Sequence, residues 1–531
     1  MTTLSPLGSF LHQTSLGKQC PFAEAYASAE AAWFNGDYLA AERALRDILP
    51  TTKTQRADHA LLHARTLLRS GDYEQSLVIL NEMSTAPGDI DRLATSLMLQ
   101  GSALTKLGRF EEGEGLLRQA RAVTGAHRTI VAETALQTAL LAYVQRKPED
   151  KTKLAECRSW ALKAVSAGSD IVLARAQELI GYVNVAEEKY GQALKSFRQA
   201  LVTLKSSSHR DRLLQANIVH VLASLAFERL EIEVLDSSLQ AASELAWTED
   251  LGSARFQVLQ NIGWLAFAAG ETHVAWRHFI AARDAVTTDS AYHAMALLNL
   301  AFLHRSVGDA SAARWHLDLA SELIADVKWD NLDADHRATF LEWVAEASRQ
   351  GIAVPETSID AFEKSRDAEG SKSFARGDRR FRALQLTARG LAVAARNVPR
   401  GVKLLTSALE IWVAVGYRFR AATTALELYA LTNQPQHLDV ARLQTRALRQ
   451  GWLRDQVSKI SRMESRGFAT LSVAERRVLS EILLGKSTAV IARGSARSGQ
   501  TIKNQTVSIF EKLGVGSRSE LIVLCSKMQK W

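Results

Sequence analysis

The stretch ARTLLRSGDYEQSLVIL, residues 64–80, decides the fold of most of this 531-residue sequence. Its centre, GDY at residues 71–73, suits a tight turn between two helices, because glycine readily adopts the left-handed conformation that ends a helix. A small residue, Ala64, stands seven positions before Gly71, and a large one, Leu80, stands nine positions after it. This spacing predicts two antiparallel helices that approach closely at the alanine.

The same register returns along the chain at steps of somewhat under forty residues. The turn markers begin at Gly36, Gly71, Gly108, Glu188, Gly270 and Gly308. The small residues before them are Ala29, Ala64, Gly101, Gly181, Gly263 and Ala301, and the large residues after them are Leu45, Leu80, Leu117, Phe197, Phe279 and Leu317. The long intervals on either side of Glu188 predict one degenerate copy in each, near Ala139 and Ala223.

This pattern resembles tetratricopeptide repeats, in the looser form found in transcription regulators. The resemblance implies an all-α chain whose antiparallel helix pairs stack into an α-solenoid. The expected divisions are an N-terminal tail at 1–20, repeats at 21–362, a loop rich in glycine, serine and charge at 363–382, further repeats at 383–453, a polar linker at 454–467 and a small terminal domain at 468–531.

The positive charge of the chain is concentrated at its C-terminal end. Residues 454–531 contain 14 Lys and Arg against 6 Asp and Glu, a net of +8 that equals the formal charge of the whole chain. The rest of the sequence is therefore neutral overall. A basic end on a neutral body is expected where one end of a protein binds a polyanion such as double-stranded DNA.

Other features exclude several protein classes. The sequence has no signal peptide and no apolar stretch of roughly the eighteen residues that a membrane span needs, so we expect a cytoplasmic protein without membrane contact. No residues stand in a motif that activates a nucleophile or holds a metal or cofactor, so we expect no enzyme. A P-loop look-alike from Gly494 to Thr501 lacks the lysine that reaches phosphates and follows a helix instead of a strand.

The terminal domain contains the start signals of four short helices. Capping boxes at Ser472 and Ser517 predict where the first and fourth helices begin. Ser487 and Ser498 predict the starts of the second and third, and the third extends to Leu513. A short helix, a tight turn and a longer helix form the helix-turn-helix arrangement, which places the longer helix in the major groove of DNA.

The third helix has an apolar face and a polar face. Ile502, Ile509 and Leu513 recur at helical spacing and are expected to face inward. The outward residues are then Gln500, Lys503, Asn504, Val507, Ser508 and Glu511. Amides bond adenine edges, lysine reaches guanine or phosphate, and Ser498 and Thr501 can bond phosphate at the helix N-terminus. Any exposed helix has a polar face, so composition alone leaves DNA recognition and simple solvent exposure both open.

The order of these motifs over residues 471–521 resembles the LuxR-type DNA-binding domain. The matching positions are Leu471-Ser472, Glu475, Val478-Leu479, Gly485, Ser487, Ile491-Ala492, Ser498, Thr501 to Asn504, Lys512 to Val515, Arg518 and Glu520-Leu521. The resemblance implies a four-helix domain that docks on DNA as a homodimer through its third helix. It assigns base reading to Lys503, Asn504 and Val507, with Thr501 and Gln505 beside them.

The sequence departs from this family at Ser495 and Arg497, where leucine and isoleucine are usual in the turn before the third helix. The loss of two buried apolar side chains costs on the order of 2–5 kcal/mol each without compensation. Arg497 can instead reach the DNA backbone, which adds it to the expected contacts. The expected DNA-binding residues are Ser498, Gln500, Thr501, Lys503, Asn504, Gln505, Val507, Arg497 and Lys512.

These observations predict a sequence-specific transcription regulator, and an activator in preference to a repressor. The architecture resembles the maltose-activator group without its NTPase module, in which the repeats bind an inducer. The expected partners are double-stranded DNA, a second copy of the chain on DNA, and RNA polymerase, another protein or a small-molecule effector on the solenoid. The alternative, motivated by Ser495 and Arg497, is a repeat-protein adaptor whose drifted helix-turn-helix domain contacts protein or nonspecific nucleic acid.

Overall fold

The computed structural model describes residues 21–83, 89–123, 125–146, 150–166, 169–207, 211–232, 253–286, 290–325, 334–356, 358–360, 379–465 and 470–529. The described residues form two compact units, one within residues 21–225 and 253–258 and the other within residues 226–232 and 259–529. The described residues form helices and connecting turns without a strand, which confirms the predicted all-α fold class. The predicted tail at 1–20 and most of the predicted charged loop lie outside the described residues.

Antiparallel helix pairs follow one another through the first unit. The helices are α1 (Pro21–Phe34), α2 (Tyr38–Arg46), α3 (Lys53–Ser70), α4 (Tyr73–Glu82), α5 (Ile90–Lys106), α6 (Phe110–Ala122), α7 (Arg128–Gln145), α8 (Lys151–Val165), α9 (Asp170–Ala186), α10 (Tyr190–Ser206), α11 (Arg212–Arg229) and α12 (Ser253–Ala268). The boundary between the units falls within α11 and α12. Ala139 and Ala223, near which the sequence predicts the degenerate copies, are almost fully buried within α7 and α11. The copies themselves stay predictions, because most of the residues that follow α11 lie outside the described ranges.

The second unit continues the pairs and ends in the terminal domain. Its helices are α13 (Thr272–Asp284), α14 (Ser290–Ser306), α15 (Ala310–Ala325), α16 (Ala334–Arg349), α17 (Arg379–Ala394), α18 (Val398–Val415), α19 (Arg418–Thr432), α20 (Pro435–Thr445), α21 (Trp452–Ser465), α22 (Val473–Leu483), α23 (Thr488–Gly494), α24 (Gly499–Leu513) and α25 (Arg518–Gln529). Helix α17 begins inside the predicted charged loop, and α21 occupies most of the predicted linker. Within the described ranges, none of the helices combines the length and the apolar character that crossing a membrane requires.

The predicted turns close the helix pairs through a residue in the left-handed conformation. The φ angles are 77° at Gly36, 91° at Gly71, 76° at Gly108, 88° at Gly270 and 87° at Gly308. The degenerate marker Glu188 adopts the same conformation, with a φ of 58°. In three copies the following aspartate then caps the second helix, because Asp37, Asp72 and Asp309 each accept a hydrogen bond from a backbone N–H three positions on. The marker therefore ends one helix and begins the next.

In several helix pairs a small residue of one helix lies directly under a large residue of the next. A Cβ atom added to Gly181 would lie 2.7 Å from the Phe197 ring, and one added to Gly263 would lie 2.5 Å from the Phe279 ring. These positions have room for glycine alone. Where the large residue is leucine, alanine can take the small position, as in the buried pairs Ala29–Leu45, Ala64–Leu80 and Ala301–Leu317. The same contact joins α17 and α18, where a Cβ atom on Gly390 would meet Leu405 at 2.8 Å.

Gly263→Ala is expected to destabilise the second unit by roughly 1–3 kcal/mol, because the new methyl group overlaps the Phe279 ring. The double variant Gly263→Ala with Phe279→Leu recreates the alanine–leucine pair seen at Ala29 and Leu45. We therefore expect the double variant to lose less free energy of unfolding than the two single variants lose in total. Urea unfolding of the four proteins measures this difference. Strictly additive effects would contradict the size matching.

Candidate nucleic-acid interface

The terminal domain packs four short helices, α22 to α25, around one apolar core. The buried residues of this core are Leu471, Val478, Leu479, Ile482, Ile491, Ala492, Ile502, Ile509, Leu521 and Cys525. The side chains of Ser472, Ser487 and Ser498 each accept a hydrogen bond from the backbone N–H three positions on, as the sequence predicts. Gly514, in the left-handed conformation, ends α24. The helix limits of the domain therefore follow from local capping signals.

Glu475 connects the first helix of the domain to the third. Its carboxylate accepts a hydrogen bond from the Ser472 backbone N–H at 2.6 Å, which completes the capping box. It also accepts hydrogen bonds from the Ser508 hydroxyl at 2.6 Å and from Lys512 Nζ at 2.8 and 2.9 Å. Burial alone would raise the pKa of this carboxyl, but the hydrogen bonds from Lys512, Ser508 and Ser472 lower the pKa to about 2. One ionised group therefore holds α24 against α22.

The residues expected to read bases lie on the exposed face of α24. Lys503 and Asn504 are exposed, and Val507 is 53% exposed although it is apolar. Gln500 Nε2 donates a hydrogen bond to Asn504 Oδ1 at 2.9 Å, which orients two amide groups one helical turn apart. An oriented asparagine amide can bond an adenine edge, and an exposed apolar side chain can contact a thymine methyl group. The face thus groups the chemistry that base recognition needs.

The N-terminal turn of α24 is suited to a phosphate group. Ser498 Oγ accepts a hydrogen bond from the Thr501 backbone N–H at 3.0 Å and lies 2.8 Å from the Thr501 hydroxyl oxygen. The preceding residues Gly499 and Gln500 are exposed, and first-turn N–H groups have no partner within their own helix. These N–H groups and the positive end of the helix dipole attract anions to this end of the helix.

Two of the expected DNA-binding residues are placed differently from this exposed face. Lys512 forms the ion pair with Glu475, so its contact with DNA stays a prediction. Gln505 is half-buried, and its Oε1 atom has no hydrogen-bond partner among the described residues. Ser508, which helical spacing places on the outer face, donates its hydroxyl hydrogen bond to Glu475 instead. The exposed face is therefore narrower than the spacing predicts.

The turn before α24 accommodates Ser495 and Arg497 outside the core. Both residues are exposed. The Ser495 hydroxyl donates a hydrogen bond to the Ile491 carbonyl oxygen at 2.7 Å, which closes the end of α23. Ala496 follows with a φ of 50°, and the Arg497 N–H donates to the Ala492 carbonyl oxygen at 3.1 Å. Because these positions face solvent, the loss of core packing expected from the sequence does not arise.

Contacts that sequence reasoning missed join the terminal domain to α19. Arg476 Nη1 donates a hydrogen bond to Tyr429 Oη at 2.8 Å, and the guanidinium lies 5.2 Å from the centre of the Tyr429 ring. Asn433 Nδ2 donates a hydrogen bond to the Leu471 carbonyl oxygen at 2.9 Å. The partners are 47 and 38 residues apart, so no local pattern could have indicated these contacts.

Comparison with protein families identifies the terminal domain. Residues 469–525 match the model of the family described as bacterial regulatory proteins, luxR family. The LuxR-type domain predicted from the sequence is confirmed by this match. No curated protein matches the chain.

Several solved structures of other proteins resemble the chain at low sequence identity. A Rap protein complexed with competence and sporulation factor is 12% identical, with a TM-score of 0.44 over 77% of this chain and 99% of that one. The apo form of the quorum sensor NprR from B. thuringiensis is 14% identical, with a TM-score of 0.41 over 65% of this chain and 95% of that one. Yeast Tom70 is 10% identical, with a TM-score of 0.35 over 85% of this chain and 98% of that one. These likenesses are too distant to transfer a ligand or a partner.

Glu475→Gln is expected to loosen α24 and to reduce the acid sensitivity of the domain. The folded-state pKa of about 2 lies below the ordinary value of 4.5, so ionised Glu475 contributes stability that is complete above about pH 4.5 and is lost as the pH falls toward 2. The substitution should lower the free energy of unfolding of the domain at neutral pH by on the order of 2 kcal/mol. It should also flatten the pH dependence between those limits. Hydrogen–deuterium exchange of peptides from residues 499–513 measures both effects.

Glu481→Gln is the matched control, because Glu481 pairs with Lys486 at a more exposed end of the same region. We expect little change in exchange or in its pH dependence, since exposed ion pairs contribute little to stability. Identical exchange in the two variants would contradict the role assigned to Glu475.

Proposed function

We propose that the chain is a transcription regulator that binds specific DNA sequences through its luxR-family domain and acts as an activator. The observation that supports this most strongly is the exposed face of α24, where Lys503, Asn504 and Val507 stand together. That face belongs to a domain that matches a family of bacterial regulatory proteins. The stacked helix pairs then serve as the platform on which a signal or a partner acts.

The distribution of charge supports binding to double-stranded DNA. The net charge of +8 in residues 454–531 accounts for the excess positive charge of the whole chain. Within the part of the domain that the structure describes, Arg493, Arg497 and Lys503 are exposed and form no ion pair. Their charges are available to phosphate groups, and each phosphate that they neutralise makes the affinity more dependent on salt.

The proposed roles divide the expected residues into base readers and phosphate contacts. Lys503 and Asn504 reach base edges, where a good bidentate contact discriminates against the wrong base by roughly 1–3 kcal/mol. Ser498, Thr501 and Arg497 bind phosphates beside the N-terminus of α24 and fix the register on the duplex. The supporting positions are Gln500, Gln505, Val507 and Lys512. In this proposal two copies of the chain bind DNA together in the cytoplasm, and RNA polymerase, another protein or a small molecule engages the repeats.

DNA selected from a random pool by the full chain defines its preferred site. Asn504→Ala should weaken binding to that site by roughly 1–3 kcal/mol and relax the preference at one base pair. Lys503→Ala should weaken binding about tenfold. The loss of a phosphate contact at this residue would reduce the slope of log affinity against log salt concentration by about one. Fluorescence anisotropy at several salt concentrations measures both quantities.

The control variant Lys403→Ala removes an exposed lysine from α18, far from the terminal domain in sequence, and should leave binding unchanged. A promoter that carries the selected site should be transcribed more with the wild type than with Asn504→Ala, whereas lower transcription would identify a repressor. A wild type that selects no sequence, but still captures a protein partner after removal of residues 468–531, would support the adaptor function.

A further inference from the structure

Charged side chains from separate helix pairs of the first unit meet at one place. The carboxylate of Asp211 accepts hydrogen bonds from Arg69 Nη2 at 2.6 Å, from Arg175 Nη2 at 2.9 Å and from Tyr38 Oη at 3.2 Å. Tyr38 and Asp211 are 173 residues apart in the sequence. Tyr38 therefore comes from a helix pair that is not adjacent in the sequence to the pairs of Arg175 and Asp211. Repeat proteins often bind their partners on a surface to which several helix pairs contribute.

Lys106 and Glu178 complete this group, which we call the inner cluster: Tyr38, Arg69, Lys106, Arg175, Glu178 and Asp211. Lys106 is the last residue of α5, and Glu178 follows Arg175 by one turn of α9. Both groups interact electrostatically with Arg69 and Arg175. Lys106 remains accessible to solvent, although the protein atoms around its ammonium group partly desolvate it. The side chains of Arg69 and Arg175 are 23% and 19% exposed, so small solutes can reach the cluster.

The hydrogen-bond donors of the inner cluster outnumber its acceptors. Asp211 is fully used, since its Oδ1 also accepts a hydrogen bond from the Leu214 backbone N–H at 3.0 Å. Arg175 Nε is buried and has no hydrogen-bond partner among the described residues. Lys106 forms no ion pair within the described ranges. Buried charged donors are normally paired, so Arg175 Nε lacks an acceptor that the described residues do not supply, and the ammonium group of Lys106 is open to one from outside the chain.

The inner cluster also has more positive than negative charge. Burial raises the pKa of Glu178 to about 7, so at neutral pH this carboxyl supplies only part of a negative charge. Burial and the neighbouring Arg69 and Arg175 lower the pKa of Lys106. Burial would raise the pKa of Asp211, but Arg69 and Arg175 hold it at about 2, so Asp211 stays ionised. Three basic side chains therefore face one complete and one partial negative charge.

We infer that the inner cluster is a binding site for the carboxylate group of a ligand, which the guanidinium group of Arg175 and the ammonium group of Lys106 bind together. A carboxylate accepts hydrogen bonds from both groups and neutralises the excess positive charge. Glu178, one turn from Arg175, contacts the part of the ligand next to the carboxylate. In the proposed regulator, this ligand would bind to the helical repeats, and only that consequence rests on the proposed function. Binding itself is a property of the first unit.

Lys106→Met tests the inference, because methionine retains much of the side-chain length without the charge. The unliganded full chain should keep or gain thermal stability, since the substitution removes a cation that is close to two arginines. At constant ionic strength, saturating sodium succinate or the tripeptide Ala-Ala-Ala should raise the melting temperature of the wild type by about 2 °C. The rise should disappear in Lys106→Met.

Lys195→Met is the matched control, since Lys195 is an exposed lysine of α10 in the same unit, and it should respond as the wild type does. A response to Ala-Ala-Ala, but not to its C-terminal amide or to succinate, identifies a peptide C-terminus. A response to succinate alone identifies a small organic acid.

Four outcomes would overturn the inference: equal stabilisation of the wild type and Lys106→Met, no stabilisation by either carboxylate probe, a response to inorganic phosphate alone, or a loss of unliganded stability in Lys106→Met. No DNA is present in this experiment, so its failure is distinct from a failure of the proposed function.

Discussion

The contact between a small residue of one helix and a large residue of the next is the constraint on which the rest of the structure depends. At Gly181 and Gly263 it requires glycine, because Phe197 and Phe279 leave no space for a Cβ atom. Helices that approach this closely form a thin pair, which cannot bury its apolar surface alone and must stack against neighbouring pairs. Stacking brings together residues that are distant in the sequence, such as Tyr38 and Asp211. The stack of helices is thus a consequence of side-chain size at two positions that recur from pair to pair.

The repeats could be predicted from the sequence because this contact is local and recurs in one register. The turn is equally local, and even Glu188, which lacks the glycine, takes the left-handed conformation that its position in the register predicts. Helix α21 could not be predicted in the same way, since its polar composition resembles that of a linker. Its Leu453 and Val457 are buried, and the Trp452 ring lies 5.6 Å from that of Phe267. Contacts with residues distant in sequence stabilise this helix, and helical propensity alone does not show them.

In the terminal domain, too, the features set by local interactions could be predicted from the sequence and those set by long-range interactions could not. Serine caps and the apolar spacing of α24 lie within a few residues of one another, so the helices and the exposed position of Lys503 and Asn504 followed from the sequence. The orientation of Ser508 and Lys512 did not follow, because their partner Glu475 lies 33 and 37 residues away on another helix. Ser495 shows a different limit. Family comparison expects an apolar side chain there, whereas a hydroxyl that bonds the Ile491 carbonyl closes the turn in solvent.

Helix α22 is bound on two sides by charged groups that are adjacent in the sequence. Successive residues of an α-helix point about 100° apart, so Glu475 can face α24 while Arg476 faces α19. Glu475 binds Lys512, and Arg476 binds Tyr429. A displacement of Tyr429 must therefore break the hydrogen bond with Arg476 or move α22, and movement of α22 disturbs the carboxylate that holds α24. Lys503 remains exposed while all these contacts are formed, so attachment to the last repeat helices does not cover this residue of α24. Helices α19 and α24 are thereby linked through one short helix, α22, and the exposed face of α24 takes no part in these contacts.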